Sequence, residues 1–530
     1  MSAPAPESAA ATRKRAGTFQ SLAASFASWR TAAVTLQSFP SGLPLGLVLV
    51  AIPAWLAIEG VDIRTIGFVT LAQAPWTFKF VWSPLMDRYA PPFLGRKRGW
   101  ALVAQAVLAI AMIALAVVAL HPQRIWPIAL ATIAIAFAGA SQDIAVDAYA
   151  VEVLHREEQG AAAGARSAVA RFAFFLSGRV IITAARWVSW PVLFAVQSVV
   201  YLPAMVLMVF SPEPEEAPAP PQSLREAIWD PFVGFLRQHR AVEIAIFLVL
   251  YKFGDNLASA LVSPFLIQVG FNQVDVGVAS GTIGLVATIA GAVIGGAITT
   301  GIGLGHALWV FGFLQAFSNI GYVLIAQTGV DRPLMYGAMA IEALTSGMGT
   351  AAFGVLLLRL TQKEFSATQY ALLSSIFALG RTLAGPIAGV LTDALGWRNF
   401  FLLTIVAAAP GLAMLQRFAP LGVRDPEFVV EPRRAGPPLT RAALVRRALA
   451  GGVLGTIIAA LISALLSALH TLRATAVFDL ATPLRTIVTP AGVSDWIASC
   501  AVLLFGLVCA LGAAALAAAQ HGVARPARAR

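Results

Sequence analysis

Trp126 to Ala150 reads WPIALATIAIAFAGASQDIAVDAYA, an apolar run that ends in Asp143 and Asp147, one helical turn apart. As a helix its 25 residues rise about 37 Å, more than the ~30 Å hydrocarbon core of a bilayer. Residues four apart share a helix face. Ionisable groups in a span are expensive and face the protein interior or a water-filled path. The stretch therefore describes a membrane-crossing helix that carries charge inward. Further charges interrupt apolar runs at Lys79, Arg171, Arg179, Lys252, Asp255, Glu342 and Arg381. Such a set points to movement of something polar.

Composition agrees. Of 530 residues, 58% are hydrophobic and 12% charged, and mean hydropathy is +0.78, which excludes a soluble globular chain. The alternating ten-residue segments of a membrane barrel are absent. An all-α polytopic membrane protein is expected. The net charge of +11 does not indicate nucleic acid, because the basic residues cluster beside the spans. Cys500 and Cys509 lie nine positions apart in one late span, about 13.5 Å along a helix and on opposite faces, so they cannot bridge.

About fourteen spans are expected. Six form a first block: Ala33 to Ile58, Ile63 to Met86, Trp100 to Leu120, Trp126 to Ala150, Ala161 to Ala185 and Trp190 to Phe210. Six form a second: Ala241 to Val269, Val276 to Thr299, Ala307 to Gln327, Leu334 to Leu360, Ala367 to Leu391 and Phe400 to Leu415. Two accessory spans follow, Leu449 to Leu469 and Trp496 to Ala518. The organisation is then a polar tail (1–32), a first half (33–211), a linker (212–240), a second half (241–417), a basic linker (418–447), the accessory pair (448–520) and a basic tail (521–530). The first run, broken by Pro40, Gly42 and Pro44, is a true span and not a removable signal peptide. With the N-terminus inside, about 25 basic residues fall on the cytoplasmic side and about 7 outside, which sets both termini in the cytoplasm.

The two blocks look like copies. Glu157, Gly178, Trp190 and Phe194 recur as Glu364, Gly385, Trp397 and Phe401, each 207 positions on (364−157, 385−178, 397−190, 401−194). Gly60 and Gly67 recur as Gly270 and Gly277, 210 positions on. Parallel six-span halves are the internal symmetry of major facilitator transporters. The loop after the second span, Asp87-Arg88-Tyr89 then Gly95-Arg96-Lys97-Arg98-Gly99, resembles the loop signature of that superfamily. There Asp87 is placed to accept hydrogen bonds from a neighbouring helix end, and the basic cluster to sit among anionic lipids. A positive-inside anchor without a gating role is the alternative.

The resemblance narrows to the AmpG muropeptide permeases on Ser41-Gly42-Leu43-Pro44-Leu45, Phe78-Lys79-Phe80-Val81-Trp82-Ser83-Pro84, Ser141-Gln142-Asp143-Ile144, Tyr251-Lys252-Phe253-Gly254-Asp255, Gly347 to Phe353 and Phe365 to Leu373. It runs from about Ser38 to Arg417, and the two late spans fit that family's layout. The chain departs from the pattern at Arg179, where a small residue is expected, and in its longer N-terminal tail. The resemblance implies a major facilitator fold plus two C-terminal helices in the bacterial inner membrane. It also implies import of an anhydro-sugar muropeptide, driven by the proton gradient with no cofactor and serving peptidoglycan recycling.

For such cargo, buried Lys and Arg would hold carboxylates. Depth at 1.5 Å per residue puts Asp255, Arg381 and Arg179 near mid-membrane and Glu342 somewhat outward. Lys252 and Asn256 neighbour Asp255 and join these as cavity candidates, Lys252 either as the partner of Asp255 or snorkelling toward the cytoplasm. Proton coupling needs a buried carboxylate, and Asp255, Glu342 and then Asp143 are the candidates. Trp55 and Trp76 would stack on sugar rings, or else belong to an interfacial belt or ordinary packing. Nearer the cytoplasm, Asp143, Asp147, Arg171, Lys79 and Gln142, with Asp87 and Arg88 at the loop, form an expected inner network, with Asp143 or Asp147 paired to Arg171 as a gate or else as a permanent stabilising pair. No metal-binding, nucleotide-binding or nucleophile motif appears, which argues against a pump or a hydrolase. The remaining alternatives are an acyl-CoA or other anionic cargo, as in the related acetyl-CoA carriers, or a sensor that kept a transporter body.

Overall fold

Within a bilayer only helices or closed barrels satisfy every backbone N–H and C=O, and this sequence chooses helices. The computed structural model describes residues 28–61, 72, 74–121, 123–214, 221, 223–236, 240–427, 439–475 and 478–521. In chain order, the first half holds α1 (Trp29–Ile58), α2 (Ala74–Phe78), α3 (Ser83–Arg88), α4 (Arg96–Val118), α5 (Ile125–Val153), α6 (Gln159–Ala184) and α7 (Trp190–Phe210). After α8 (Leu224–Leu236) come α9 (Ala241–Val269), α10 (Asp275–Ile302), α11 (Leu304–Thr328) and α12 (Arg332–Leu360). The helical stretch Ser366–Ala407 breaks at Gly396 (φ 72°, ψ 164°) into α13 (366–395) and the span α14 (Leu395–Phe418). The chain reverses there: Trp397 donates to Gln268 Oε1, while further on Phe418 packs against Phe247.

Among the described residues, twelve helices are long and apolar enough to cross a membrane. Of the two other expected spans, Ile63 to Met86 falls partly outside the described residues and continues into α2 and α3. Ala367 to Leu391 lies within α13.

The internal repeat is visible in atomic detail. Gly60 (φ 78°) and Gly270 (φ 109°) end α1 and α9 in left-handed conformations that a Cβ would oppose. Each is followed by the same closing hydrogen bond, Val61 N to Leu56 O (2.9 Å) and Phe271 N to Leu266 O (3.1 Å). An aromatic triad repeats with them. Trp55 meets Phe194 edge-on at 5.3 Å and Trp190 at 6.1 Å. Phe265, 210 positions after Trp55 (265−55), meets Phe401 edge-on at 4.8 Å and Trp397 at 5.0 Å. The spacing of 207 and 210 thus corresponds to one packing solution used in each half.

The halves meet along α6 and α10, where only small residues allow the backbones so close. A Cβ on Gly164 would run into the Ala292 carbonyl and come within 3.0 Å of Gly296 Cα. At one end of the bundle a polar latch joins them. Asp87, with no exposed surface, accepts from the backbone N–H groups of Ala367 (3.3 Å) and Thr368 (2.8 Å) and from Thr368 Oγ1 (2.6 Å), all at the start of α13. A carboxylate there is favoured by the helix dipole and by N–H groups that have no partner within the helix. Lys97 forms a salt bridge to the same carboxylate, and Arg96 donates to the Asp87 carbonyl at 2.8 Å. Beside it, Glu152 accepts from Ser366 Oγ at 2.6 Å and lies 3.6 Å from Arg96. The apolar cluster beneath the latch likewise draws on both halves, joining Met86, Ala101 and Ile144 to Ala367 and Ala371.

A separate unit comprises 225–242 and 428–530. In it α15 (Arg441–Thr475) and α17 (Val493–His521) pack through Gly451, Gly455 and Gly506, with α16 (Ala481–Val488) between them in sequence. Val233 of α8 joins Ala515, Ala518 and Ala519 in a small core. The linker between the halves therefore supplies a helix to the accessory pair.

Two outcomes are expected. Gly164→Val should overpack the α6–α10 seam and remove about 1–3 kcal/mol, read as a lower melting temperature in detergent. Gly277→Ala, at a helical position with nothing within 4 Å of its added methyl, should not lower it. Asp87→Ala leaves the Lys97 ammonium, among the described residues, only Glu152 at 3.8 Å, and strands two helix N–H groups, a loss of about 3–5 kcal/mol by analogy with broken buried pairs. A cysteine placed at Ala371, 1% exposed in the latched form, should then gain reactivity toward a water-soluble maleimide, with Cys500 and Cys509 replaced.

Candidate functional site

A cavity of about 450 Å³ opens among α6, α9, α10, α11, α12 and α13. Its charged lining is Arg171, Lys252, Asp255, Glu342 and Arg381, three cations against two carboxylates, or a formal +1 (3−2). Asn256 and the hydroxyls of Ser259, Ser263, Ser280, Ser346 and Thr350 complete a polar wall. Such a lining inside a membrane protein is kept by water or a polar ligand.

Local structure explains how α9 delivers its part. The helix is interrupted between Leu250 and Phe253, and Lys252 (φ −104°, ψ 10°) leaves helical geometry. Its ammonium turns back onto Thr350 Oγ1 (3.0 Å), the Ser346 carbonyl (3.2 Å) and Asp255 Oδ2 (3.4 Å). Ser346 Oγ donates to the same Asp255 oxygen at 3.1 Å. Asp255 Oδ1, also buried, has no hydrogen-bond partner among the described residues. Broken helices at mid-membrane are the usual place for transporter sites. Arg171 and Arg381 are exposed to the cavity and form no salt bridge among the described residues.

The structure brings Asp255, Arg381, Glu342, Lys252 and Asn256 together, but corrects other expectations. Trp55 has no exposed surface, sits in the aromatic triad and donates to Glu59 at 3.2 Å, so it cannot stack on a sugar. Trp76 donates to Asp143 Oδ2 at 3.0 Å, outside the cavity lining. Arg171 does not pair with Asp143 or Asp147. That partner is Arg166, 2.5 Å from Asp147, with Lys79 at 3.5 Å on the other oxygen. Five residues along α6 move a side chain about 7.5 Å and 140° around the axis, which carries Arg171 out of the network and into the cavity. The network of Lys79, Asp143, Asp147 and Arg166 is drawn from the first half, with Arg166 also reaching Tyr370 of α13, so it touches the second half beside the latch at Asp87 and Glu152.

Gln142 is fully buried next to Asp143, with both amide atoms lacking a partner among the described residues. Arg88 lies over its neighbour Tyr89, 5.3 Å from the ring centre, and takes no part in the latch. Arg179 is exposed and reaches α10: a methyl on Gly281 would sit 3.0 Å from its Nη1. It stands outside the cavity lining, to which Ser280, the residue before Gly281, belongs.

Sequence reasoning missed Arg166, Glu152, Thr368, Ser346 and Thr350. Arg166 and Glu152 carried a signal, since both lie among small or apolar neighbours, Ala165-Arg166-Ser167 and Val151-Glu152-Val153. The hydroxyls carried none, because serine and threonine in spans commonly bond their own helix.

Comparisons with known proteins agree with this architecture. The model of the Major Facilitator Superfamily matches residues 34–341. The chain is 42% identical over 388 residues to the anhydromuropeptide permease of Escherichia coli, covering 73% of this chain and 79% of that one. Among solved structures it resembles the human organic anion transporter MFSD10 (TM-score 0.57, 13% identity, 73% of this chain and 99% of that one). It also resembles the proton:xylose symporter XylE (TM-score 0.56, 13% identity, 74% and 96%), a likeness of fold alone. With its duplicated halves, central polar cavity and latched end, this multi-pass membrane chain belongs to the Major Facilitator Superfamily, in the family of the anhydromuropeptide permeases.

Proposed function

We propose that the protein imports anhydromuropeptides together with protons across the bacterial inner membrane. The cargo is suggested by the name of its 42% identical relative. One observation carries the mechanism: Asp255 has one oxygen on Lys252 and Ser346 and the other without a partner among the described residues, in a cavity that also holds Arg171 and Arg381, which form no salt bridge among them. A proton arriving on Asp255 Oδ1 weakens its hold on Lys252 and raises the lining from +1 to +2. The cavity then attracts a cargo carboxylate more strongly, and the two arginines clamp it. Proton and cargo thus favour each other's binding, as symport requires. Glu342 is a second acid on the same wall and serves as a relay.

In this reading the chain crosses the membrane fourteen times, with both termini in the cytoplasm and the basic loops on anionic headgroups. The Asp87 latch then closes the cytoplasmic end, leaving the cavity to receive cargo from the other side.

Asp255→Asn should abolish accumulation of labelled anhydromuropeptide against its gradient while binding by purified protein persists. Unchanged ionophore-sensitive accumulation would remove Asp255 from the coupling path. Arg381→Ala should raise the half-saturating cargo concentration roughly ten- to a hundredfold, the scale of one charge-assisted hydrogen bond. Competition by carboxylate-free sugar should be unaffected by that change.

A further inference from the structure

Arg171 and Arg179 lie eight residues apart on α6, an axial separation of about 12 Å. In an unbroken α-helix eight residues turn about 80° beyond two full turns, and the two side chains would point to different sides. The helix is not unbroken, because Leu176–Val180 is a single π turn. Such a turn takes up one extra residue, about 100° of rotation, and returns Arg179 to within about 20° of the Arg171 direction. Gly178 within the turn packs against Gly46 and Val50 of α1, which wedges the bulge in place. The α1 segment it meets is itself a π turn, Leu47–Ala51, and Arg179 faces a third, Ala279–Ile283 of α10.

The consequence is a row of two cations on one face of α6, directed toward the second half. Arg171 lines the cavity. Arg179 lies outside that lining, against the bare backbone of Gly281, the residue that follows Ser280 of the lining. Neither forms a salt bridge among the described residues, and both are exposed. An arginine left unpaired in the membrane interior is costly to retain without a ligand.

We propose that Arg179 forms a second anion subsite, about 12 Å from the one at Arg171 and Arg381, that selects cargo bearing two separated carboxylates. This deepens, and rests on, the glycopeptide reading above. The inner subsite holds a carboxylate near the sugar end, and Arg179 with the Ser280 hydroxyl holds the terminal carboxylate of the peptide. The π turn is what sets the spacing, since without it the two guanidinium groups would not address one extended ligand.

The test uses the purified full-length protein and a labelled anhydromuramyl tetrapeptide, competed by its unlabelled free acid or its C-terminal amide. The wild type should prefer the free acid roughly tenfold or more, the scale of one charge-assisted contact. Arg179→Ala should erase that preference while leaving the amide's affinity unchanged, and Arg179→Lys should keep part of it. A preference that survives in Arg179→Ala, or equal weakening of both competitors, overturns the subsite. Binding with the expected ratio but no uptake by cells would overturn the transport reading and leave the subsite standing. Failure of the wild type to bind either form overturns both.

Discussion

The Asp87 carboxylate is the point on which the arrangement of the halves turns. It is fully buried, and a lone ion there would be prohibitive. Four donors around it resolve the problem: the Lys97 ammonium, the Thr368 hydroxyl and the first N–H groups of α13. Lys97 belongs to one half and the others to the second, so satisfying the charge and closing the bundle are one event. The bonds are polar and local, and α6 and α10 pack closely on Gly160, Gly164 and Gly296. A joint of this kind is firm when made and leaves little to hold the halves once broken.

The cavity follows the opposite rule. Inside the first half, charges are neutralised: Asp147 sits between Arg166 and Lys79, and Asp143 takes the Trp76 N–H. In the cavity they are left unequal: among the described residues two arginines form no salt bridge and one carboxylate oxygen has no hydrogen-bond partner. The structure can carry this imbalance because the paired network, the aromatic triads and the apolar cores of each half bear the packing. Unpaired charge is concentrated where a ligand and water replace protein partners.

Backbone irregularity serves the same separation of roles. The break near Lys252 lets its ammonium reach α12, which a continuing helix would direct elsewhere. The π turn in α6 re-aims Arg179 without moving Gly178 from its seat on α1. The Lys252 break and the π turn of α10 lie at a wall of the cavity, while Asp147 and Arg166 of the paired network stand on regular stretches of α5 and α6.

Read alone, the residues determine a great deal. Hydropathy sets the spans because lipid offers no hydrogen bonds to the backbone, and the interval of 207 to 210 reveals the duplication that the triads and the glycine caps display. The position of Asp87 before a helix end, and the placing of Asp255 and Arg381 near mid-membrane with Glu342 somewhat outward, were legible too. What remained for the tertiary structure was direction. Depth comes from counting residues, but the side of a helix a residue faces depends on every local irregularity before it. For that reason Arg171 and Arg166 exchange roles, Trp55 becomes core, and Arg179 comes into line with the cavity only through a π turn that no sequence period announces. Pairings between helices such as Asp87 and Thr368, 281 positions apart, exist only once the halves have docked.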